Sequence, residues 1–256
     1  MRKCLSPFFI GRQESGLDIN TGSFDLTLSN SLLSGKEYGT YSAINSINSA
    51  ISEFVADTIS LGKKPLVLAG DCLSAIGVLS GAMKCGIRPH LLWIDAHGDF
   101  HTHETTTSGH LGGMPLAMIS GRGDLSLLNG VHVDPLADEH IYFVGGSDLE
   151  SGEKEALKSS GIRQSTLITE MLDRLPTVSP LWIHFDTDYI TSNDAPSMRY
   201  PSKNGVTAQE TKIGFDAIAR KINILGLSIS AWAPHLDSNG KTAEMCWEVV
   251  SSLTEI

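Results

Sequence analysis

Residues 90–113 read HLLWIDAHGDFHTHETTTSGHLGG. The apolar run at residues 91–94 is typical of a buried strand, and it leads directly into Asp95, His97 and Asp99. Charged groups at the end of a buried strand need partners, and a metal ion is the partner that suits clustered oxygen and nitrogen ligands. The segment therefore predicts a metal site at the end of this strand.

A second apolar strand ends in a second pair of acids. Residues 181–185 read LWIHF and run into Asp186 and Asp188. Residues two apart project to the same side of an extended chain, so each pair of ligands can point at one place. With Asp95 and Asp99 they make four carboxylates, which would raise one another's pKa unless cations neutralise them. Two divalent ions about 3.5–4 Å apart would do so and would activate water for hydrolysis. The alternative is that these acids cap helices or face solvent.

The composition predicts a single folded α/β domain over residues 1–256. The chain is 41% apolar and 19% charged, which argues against disorder, and its formal charge of −10 disfavours nucleic acid as a partner. The four cysteines are scattered without a paired framework. No apolar run approaches about 18 residues and no signal peptide opens the chain, so we expect a soluble, cytoplasmic protein with no membrane partner.

Apolar segments with strand character alternate with segments of helical period. Strands are predicted at residues 3–10, 65–69, 91–95, 141–144, 181–185 and 224–229. Helices are predicted at residues 43–59, 72–83, 115–119, 152–159, 207–222 and 242–253, and a loop at residues 11–39. This alternation predicts a mainly parallel sheet with helices on both faces and ligands beyond the carboxyl ends of its strands.

The helix predicted at residues 207–222 has the clearest boundary and face. Thr207 is predicted to be its N-cap residue. The side chains expected to point inward are Ile213, Phe215, Ile218 and Ile222.

Three motifs resemble the ureohydrolases, the family of arginase, agmatinase and formiminoglutamase. Residues 70–74, GDCLS, look like the family's G-G-D-H-S segment, and residues 95–99, DAHGD, match its D-A-H-x-D segment. Residues 186–188, DTD, are similar to its third segment, and residues 195–207 continue at the family's spacing. The resemblance extends over about residues 64–248 and is closest to the arginase branch.

The resemblance implies a three-layer α/β/α arginase-like fold and a two-manganese centre. The implied metal ligands are Cys72, Asp95, His97, Asp99, Asp186 and Asp188. Asp95 and Asp186 would bridge the two ions. Cys72 stands where the family usually has a histidine, and a thiolate is a softer ligand, so zinc, iron or cobalt are alternatives to manganese. The other possibility is that Cys72 is a small buried residue that leaves its metal weak or absent.

The substrate side of the site departs from the family. Gly112 stands where arginases have a proton-shuttling histidine, and Ala231 where arginases and agmatinases have a glutamate facing the guanidinium. His110 is the candidate for proton transfer, with Asp99 as the second catalytic residue. The implied substrate-binding residues are His101, Thr106, Ser108, His110, Asp148 and Glu150, with Glu153 beside them. Alternatively, the histidines, with His103, are structural loop residues, and the acids occupy a solvated helix N-terminus.

These features predict a dinuclear-metal hydrolase of a linear guanidino or amidino C–N bond. The expected substrate is a small molecule, arginine or a less basic relative such as N-hydroxy-arginine, giving urea or hydroxyurea plus an amine. One alternative is a non-catalytic relative that binds a ligand or partner in the same cleft. Another is a zinc-dependent amide hydrolase, like the related deacetylases. Family analogy also implies a homo-oligomer, a trimer or hexamer.

Overall fold

The apolar runs form one parallel sheet in the computed structural model, which describes residues 1–13 and 23–254. Its strands are β1 (Arg2–Ser6), β4 (Leu26–Thr27), β5 (Pro65–Ala69), β6 (His90–Asp95), β7 (Ile141–Gly145), β8 (Arg163–Ser165), β9 (Leu181–Asp186) and β10 (Ile224–Ser230). The strand order is β4-β1-β5-β10-β9-β6-β7-β8, and every described pairing within it is parallel. A separate antiparallel hairpin joins β2 (Phe8–Phe9) to β3 (Arg12–Gln13).

Helices cover both faces of this sheet. They are α1 (Tyr41–Ser60), α2 (Ser74–Lys84), α3 (Pro115–Ile119), α4 (Ser126–Gly130), α5 (Ser151–Ser159), α6 (Ile168–Met171), α7 (Ala208–Lys221) and α8 (Lys241–Thr254). Within the described part of the chain, no helix is long and apolar enough to cross a membrane.

Alternating side chains of each strand supply two separate cores. In β6, Leu91 and Trp93 pack with α1, α2, α3 and α4 on one face, whereas Leu92 and Ile94 pack with α6, α7 and α8 on the other. All four side chains are fully buried, as expected for a parallel strand covered on both faces. The predicted three-layer α/β/α arrangement is therefore confirmed.

Two details of the prediction were wrong. The segment expected to be one strand at residues 3–10 is divided, because the chain leaves the sheet after Ser6 and enters the hairpin at Phe8. Ile213, expected to point inward, is 51% exposed, whereas Phe215 and Ile218 are fully buried. Ile213 precedes Phe215 by two residues, and positions two apart lie on nearly opposite sides of a helix.

Some short elements were not predicted. Strands β3 and β4 fall inside the segment expected to be a loop at residues 11–39, and residues 14–22 of that loop lie outside the described residues. Strand β8 and helices α4 and α6 were also missed. Elements of two to five residues are too short to display a period.

Candidate metal centre and substrate cleft

The two predicted acid clusters lie side by side because β6 and β9 are neighbours in the sheet. Ile94 pairs with Phe185, so the next residues, Asp95 and Asp186, end their strands at the same level. Ser230 at the end of β10 pairs with Asp186 on its other side. Parallel strands end at the same edge, so the chain delivers all these groups to one place.

Two groups of potential ligands share Asp95. The ligand atoms of Cys72, Asp95 and Asp99 all lie within 4.8 Å of one another, and so do those of Asp95, His97 and Asp188. Asp186 reaches the first group through Cys72, whose Sγ lies 2.9 Å from Asp186 Oδ2. The structure thus brings together all six predicted metal ligands. That Asp186 bridges two ions stays a prediction.

Within the described part of the chain, the carboxylate of Asp99 lacks a hydrogen-bond donor on one oxygen. Its Oδ2 is buried and has no hydrogen-bond partner among the described residues. Its backbone adopts φ = 48°, in the left-handed region, and its carbonyl oxygen accepts hydrogen bonds from Leu116 and Ala117 at the start of α3. These bonds hold the backbone of Asp99 in this strained conformation. A buried carboxylate oxygen without a donor is what a cation site requires.

The electrostatics of the carboxylates also fit bound cations. Burial, then the Asp188 carboxylate, raise the pKa of Asp95 to about 7. Burial and the neighbouring carboxylates raise the pKa of Asp99 and Asp186 well above the usual range. Divalent ions would remove this repulsion, so the residues present fit a cationic centre of one or two metals.

His97 is held between carboxylates. Its Nδ1 lies 3.2 Å from Asp188 Oδ2 and 3.5 Å from Asp95 Oδ1. Burial lowers the pKa of His97, but the hydrogen bonds to Asp188 and Asp95 outweigh burial and raise it overall. Without a metal the imidazole is therefore protonated and neutralises part of the acidic cluster. A metal ion would replace that proton at the same nitrogen.

Cys72 is buried and makes two hydrogen bonds. Its Sγ lies 2.9 Å from Asp186 Oδ2 and 3.1 Å from Ser230 Oγ. Burial, followed by the charges of Asp186, Asp99 and Asp95, raises the pKa of the thiol well above its usual range. The thiol is therefore protonated in the metal-free protein, and it must lose this proton to become a ligand.

A buried network that the sequence did not reveal supports Cys72 and Asp186. The His184 ring bonds through Nδ1 to Ser228 Oγ at 2.9 Å and through Nε2 to Ser230 Oγ at 3.3 Å. Ser230 in turn contacts Asp186 Oδ2 at 3.3 Å. Burial lowers the pKa of His184 to about 3, so the ring is neutral and each nitrogen has a distinct role. The alternation of His184, Ser228 and Ser230 with apolar residues was the available signal.

All predicted site residues line one cavity of about 670 Å³. These are the six metal ligands together with His101, Thr106, Ser108, His110, Asp148 and Glu150. Gly112 and Ala231, the two positions that depart from the family, line it too. His103 is not among the lining residues, and its Nε2 lies 3.2 Å from the hydroxyl of Tyr41.

The acids after β7 combine helix capping with an interaction at the cleft. Glu150 Oε2 lies 3.2 Å from His101 Nε2, and Glu153 Oε1 lies 3.9 Å from the same nitrogen. Glu153 also accepts hydrogen bonds from the backbone N–H groups of Phe100 and Glu150. Glu153 is thus a buried support of the cleft wall, whereas Glu150 and Asp148 are exposed and accessible to a ligand.

His110 occupies the space that a side chain at position 112 would need. A Cβ atom built on Gly112 would lie 2.7 Å from Nε2 of His110 and 3.0 Å from its Cδ2. The imidazole also packs near Phe9, with ring centroids 6.0 Å apart, and near Tyr200 at 5.8 Å. The imidazole of His110 therefore occupies the part of the cleft that a side chain at residue 112, the position of the family's histidine, would enter.

Three residues of the cleft were missed by sequence reasoning. Phe9, Arg199 and Tyr200 line the cavity, and the Arg199 guanidinium carbon lies 3.9 Å from the centroid of the Phe9 ring. The Tyr200 ring packs edge-on against that of His97 at 6.4 Å. These residues come from the hairpin after β1 and from the irregular segment after β9, where no periodic pattern marks them.

Comparison with known proteins agrees with this architecture. The family model described as "Arginase family" matches residues 24–255. The arginase of Bacillus subtilis strain 168 is 33% identical over 218 residues, covering 80% of this chain and 74% of the relative. The arginase of Bacillus caldovelox is 31% identical, covering 82% and 75%.

Solved structures show the same likeness across the whole fold. A crystal structure of Bacillus subtilis arginase superimposes with a TM-score of 0.85 at 27% identity, covering 99% of this chain and 97% of the other. The agmatine ureohydrolase of Thermoplasma volcanium, at 17% identity and a TM-score of 0.69, shares the fold. The family match, the identity to these relatives and the shared fold agree: the chain belongs to the arginase family of hydrolases.

Proposed function

We propose that the protein is a dinuclear-metal hydrolase that cleaves the C–N bond of a guanidino amino acid, arginine or N-hydroxy-arginine. The observation that carries the proposal is the sharing of Asp95 by two ligand groups at the base of a single cavity. The proposed substrate is taken from the relatives, since those at 33% and 31% identity described above are arginases. Urea or hydroxyurea and an amino acid would be the products.

The six predicted ligands would hold the metals, with His97 and Asp188 on one side and Cys72 and Asp99 on the other. When bound, two divalent cations lower the pKa of a water molecule and polarise the carbon that it attacks. Manganese follows from family analogy, and the thiol of Cys72 favours zinc, iron or cobalt at its own position.

Two side chains would move the protons. Asp99 would hold its metal through one carboxylate oxygen and accept a proton from the attacking water on the other. As the new C–O bond forms and the C–N bond breaks, His110 would deliver a proton from Nε2 to the leaving nitrogen. Burial, then Arg199, lower the pKa of His110, so the ring is neutral at pH 7. The proton that Asp99 accepts would return to solvent, and His110 would take one from solvent before passing it on, so the protons balance.

The departure at residue 231 supports a less basic substrate. Ala231 lines the cavity and carries no carboxylate, so a guanidinium there lacks the charge-assisted partner that the family's glutamate supplies. A hydroxyguanidine is less basic than a guanidine and depends less on such a partner. N-hydroxy-arginine therefore fits this wall better than arginine does.

The test is a comparison of kcat/KM for L-arginine, N-hydroxy-L-arginine, agmatine and formiminoglutamate on protein loaded separately with manganese, zinc, iron and cobalt. We expect N-hydroxy-L-arginine to be the preferred substrate by about tenfold or more, equivalent to one charge-assisted contact. A preference for arginine would contradict the substrate, and inactivity with all four compounds under every metal would contradict the hydrolase.

One observation favours a second candidate, a non-catalytic binding protein. The protonated thiol of Cys72 donates a hydrogen bond to Asp186, so these two groups satisfy each other without a metal. Metal analysis of the purified protein separates the candidates. About two ions per chain are expected for the proposed enzyme, whereas protein that retains no ion after saturation and desalting would favour the binder.

A further inference from the structure

A chain of hydrogen bonds leads from Trp182 to the thiol of Cys72. Trp182 Nε1 donates to Ser228 Oγ at 3.0 Å, and Ser228 Oγ lies 2.9 Å from His184 Nδ1. The other ring nitrogen, Nε2, lies 3.3 Å from Ser230 Oγ, and that hydroxyl lies 3.1 Å from Cys72 Sγ. The four residues that lead to Cys72 are all 0% exposed. Their polar groups therefore find their partners inside the protein.

Strand register and ring stacking hold this chain in place. Ser228 and Ser230 of β10 pair with His184 and Asp186 of β9, so both serines lie beside the imidazole. Trp93 of β6, the neighbouring strand on the other side, pairs with His184. Its ring is stacked on the imidazole, with centroids 4.0 Å apart and an interplanar angle of 29°. The imidazole is confined by these contacts, so each of its nitrogens stays at a different serine.

The indole of Trp182 sets the direction of donation along the chain. An indole N–H only donates, so Ser228 Oγ accepts there and its own hydrogen goes to another acceptor. His184 Nδ1 at 2.9 Å is closer than the carbonyl oxygen of Ile183 at 3.4 Å, so Nδ1 is that acceptor. A buried imidazole whose partners are hydroxyl groups is neutral and carries a single N–H. That N–H is therefore at Nε2 and donates to Ser230.

Ser230 consequently has its own hydrogen available on the side of the metal centre. Its Oγ lies 3.1 Å from Cys72 Sγ and 3.3 Å from Asp186 Oδ2. In the metal-free protein the thiol of Cys72 has a hydrogen of its own and donates it to Asp186. As a metal ligand Cys72 would be a thiolate, which has no hydrogen and only accepts. The hydroxyl of Ser230 is then a donor within reach of the sulfur.

We infer that Ser230 is a positioning residue that donates a hydrogen bond to the Cys72 thiolate and is oriented for this by His184, Ser228 and Trp182. A hydrogen bond to a charged acceptor is stronger than one between neutral groups, so it stabilises the ligand form of Cys72. Partners of this kind fix a ligand's direction and raise metal affinity. The inference rests on the proposed function in taking Cys72 to be a metal ligand.

The probe is Co²⁺, because a thiolate bound to this ion gives a charge-transfer absorption in the near ultraviolet that oxygen and nitrogen ligands do not give. The metal-free full-length protein is titrated with Co²⁺, and difference spectra record the band and the affinity. The wild-type protein should show the band, and Cys72→Ser should lack it. Ser230→Ala should weaken Co²⁺ binding at this site about 10–100-fold, the usual effect of losing such a partner. Its band should also move to longer wavelength, because the sulfur electrons are no longer stabilised by the hydroxyl.

Ser228 tests whether the orientation is transmitted through His184. Ser228→Ala removes the donor to Nδ1, so it should weaken Co²⁺ binding about threefold in the wild-type background and have no further effect in Ser230→Ala, as expected for coupled residues. Ser80→Ala is the matched control. Ser80 is also buried and hydrogen-bonded, to Ser52 and the carbonyl oxygen of Val131, but does not line the cavity. Its band and affinity should equal those of the wild-type protein, and far-UV circular dichroism checks that each variant is folded.

Three results would overturn the assignment while leaving the proposed hydrolase intact. They are an unchanged band and affinity in Ser230→Ala, losses from the two serine substitutions that simply add, and Co²⁺ binding by the wild-type protein without the thiolate band. No Co²⁺ binding by the wild-type protein would overturn the metal centre together with the assignment. Failure of the proposed hydrolysis alone would appear as a wild-type protein that shows the band but turns over neither L-arginine nor N-hydroxy-L-arginine.

Discussion

The thiol of Cys72 lies against the carboxylate of Asp186 and the hydroxyl of Ser230. Binding of a hard ion such as Mn²⁺ at this position requires removal of a proton from a buried thiol with a raised pKa. A softer ion recovers more of that cost through its bond to sulfur. Under the proposed function, Cys72 would therefore control both the occupancy and the identity of the metal on its side of the centre.

We expect Cys72→His to strengthen Mn²⁺ binding by about tenfold or more and to reduce the preference for Zn²⁺, because neutral imidazole binds without losing a buried thiol proton. Competition between the two ions, read by elemental analysis after desalting, measures the change. Cys246→Ser is the control, since Cys246 is also buried but lies in α8 outside the cavity. An unchanged metal preference in Cys72→His would show that residue 72 is not a ligand.

Substitution of Gly112 tests the role of His110 without changing His110 itself. A Cβ at residue 112 would lie 2.7 Å from His110 Nε2, so Gly112→Ala should displace the imidazole and lower kcat by about 10–100-fold, within the usual contribution of general acid–base catalysis. Gly113→Ala is the matched control, because its Cβ would meet only His101 Cδ2 at 3.9 Å. Steady-state kinetics of the two variants, with metal content measured in parallel, check this. Equal activities would argue against proton transfer by His110.

At the residue scale, spacing identified the groups that follow buried strands and missed the groups that reach the cleft from elsewhere. Asp95, His97 and Asp99 stand out because charge interrupts an apolar run. Phe9 and Arg199 have no such local contrast, since an aromatic residue and an arginine near a turn are ordinary in sequence. Their proximity depends on a hairpin and a loop separated by about 190 residues in the chain.

In helix α7 the sequence predicted the start of the helix correctly and its buried face with one error. Its N-cap was predicted correctly, since Thr207 Oγ1 accepts from the N–H of Glu210 at 3.2 Å. The prediction of its inward face was wrong at Ile213. The buried side chains, Thr211, Phe215, Ile218 and Ile222, follow the helical period, and Ile213 lies off that line.

The two isoleucines of this helix should therefore respond very differently to truncation. We expect Ile218→Ala to lower the free energy of unfolding by about 2–5 kcal/mol, because it opens a cavity in a fully buried core. Ile213→Ala should change it by less than about 1 kcal/mol, since that side chain is 51% exposed. Chemical denaturation with metal present measures both. Similar losses for the two variants would contradict the exposed position of Ile213.

At the scale of the whole molecule, burial of several acids links metal binding to pH. In the unfolded chain these carboxyl groups titrate at about pH 4. In the folded chain burial raises the pKa of Asp95 to about 7 and the pKa of Asp99 and Asp186 well above the usual range. The metal-free folded state therefore binds more protons than the unfolded state above about pH 4. The associated stability is lost as pH rises through the folded pKa values.

His184 acts in the opposite direction. Burial lowers its pKa to about 3, so the folded state gains stability as pH rises towards about 6.5. This contribution is common to metal-free and metal-loaded protein, because the imidazole bonds to Ser228 and Ser230 rather than belonging to either ligand group. The difference between the two forms therefore excludes His184 and reports on the ligand groups, the acids together with His97 and Cys72.

We expect the Tm difference between metal-loaded and EDTA-treated protein to widen by several degrees between about pH 5 and about pH 8. Differential scanning calorimetry at fixed metal concentration measures it. In Asp186→Asn, which keeps the shape but not the charge, the widening should be smaller. A difference that stays constant or narrows with rising pH would contradict the predicted metal centre.

The assembly state and the single domain stay predictions. One sheet contains strands from Arg2 to Ser230, which supports a single domain over residues 1–256. A trimer or hexamer, implied by family analogy, is checked by analytical ultracentrifugation.

Local pattern was sufficient for the alternation of strands and helices, the three layers and the acidic ends of β6 and β9, because periodicity and charge contrast act over a few residues. Local sequence does not predict that β5 and β10, which are far apart in the chain, are neighbours in the sheet. It also does not predict the contact between Cys72 and Ser230 or the stacking of Arg199 on Phe9. These depend on strand order and on packing between distant segments. These contacts form only when the whole sheet packs against the helices on both of its faces. That packing brings the polar groups at the strand ends to their partners.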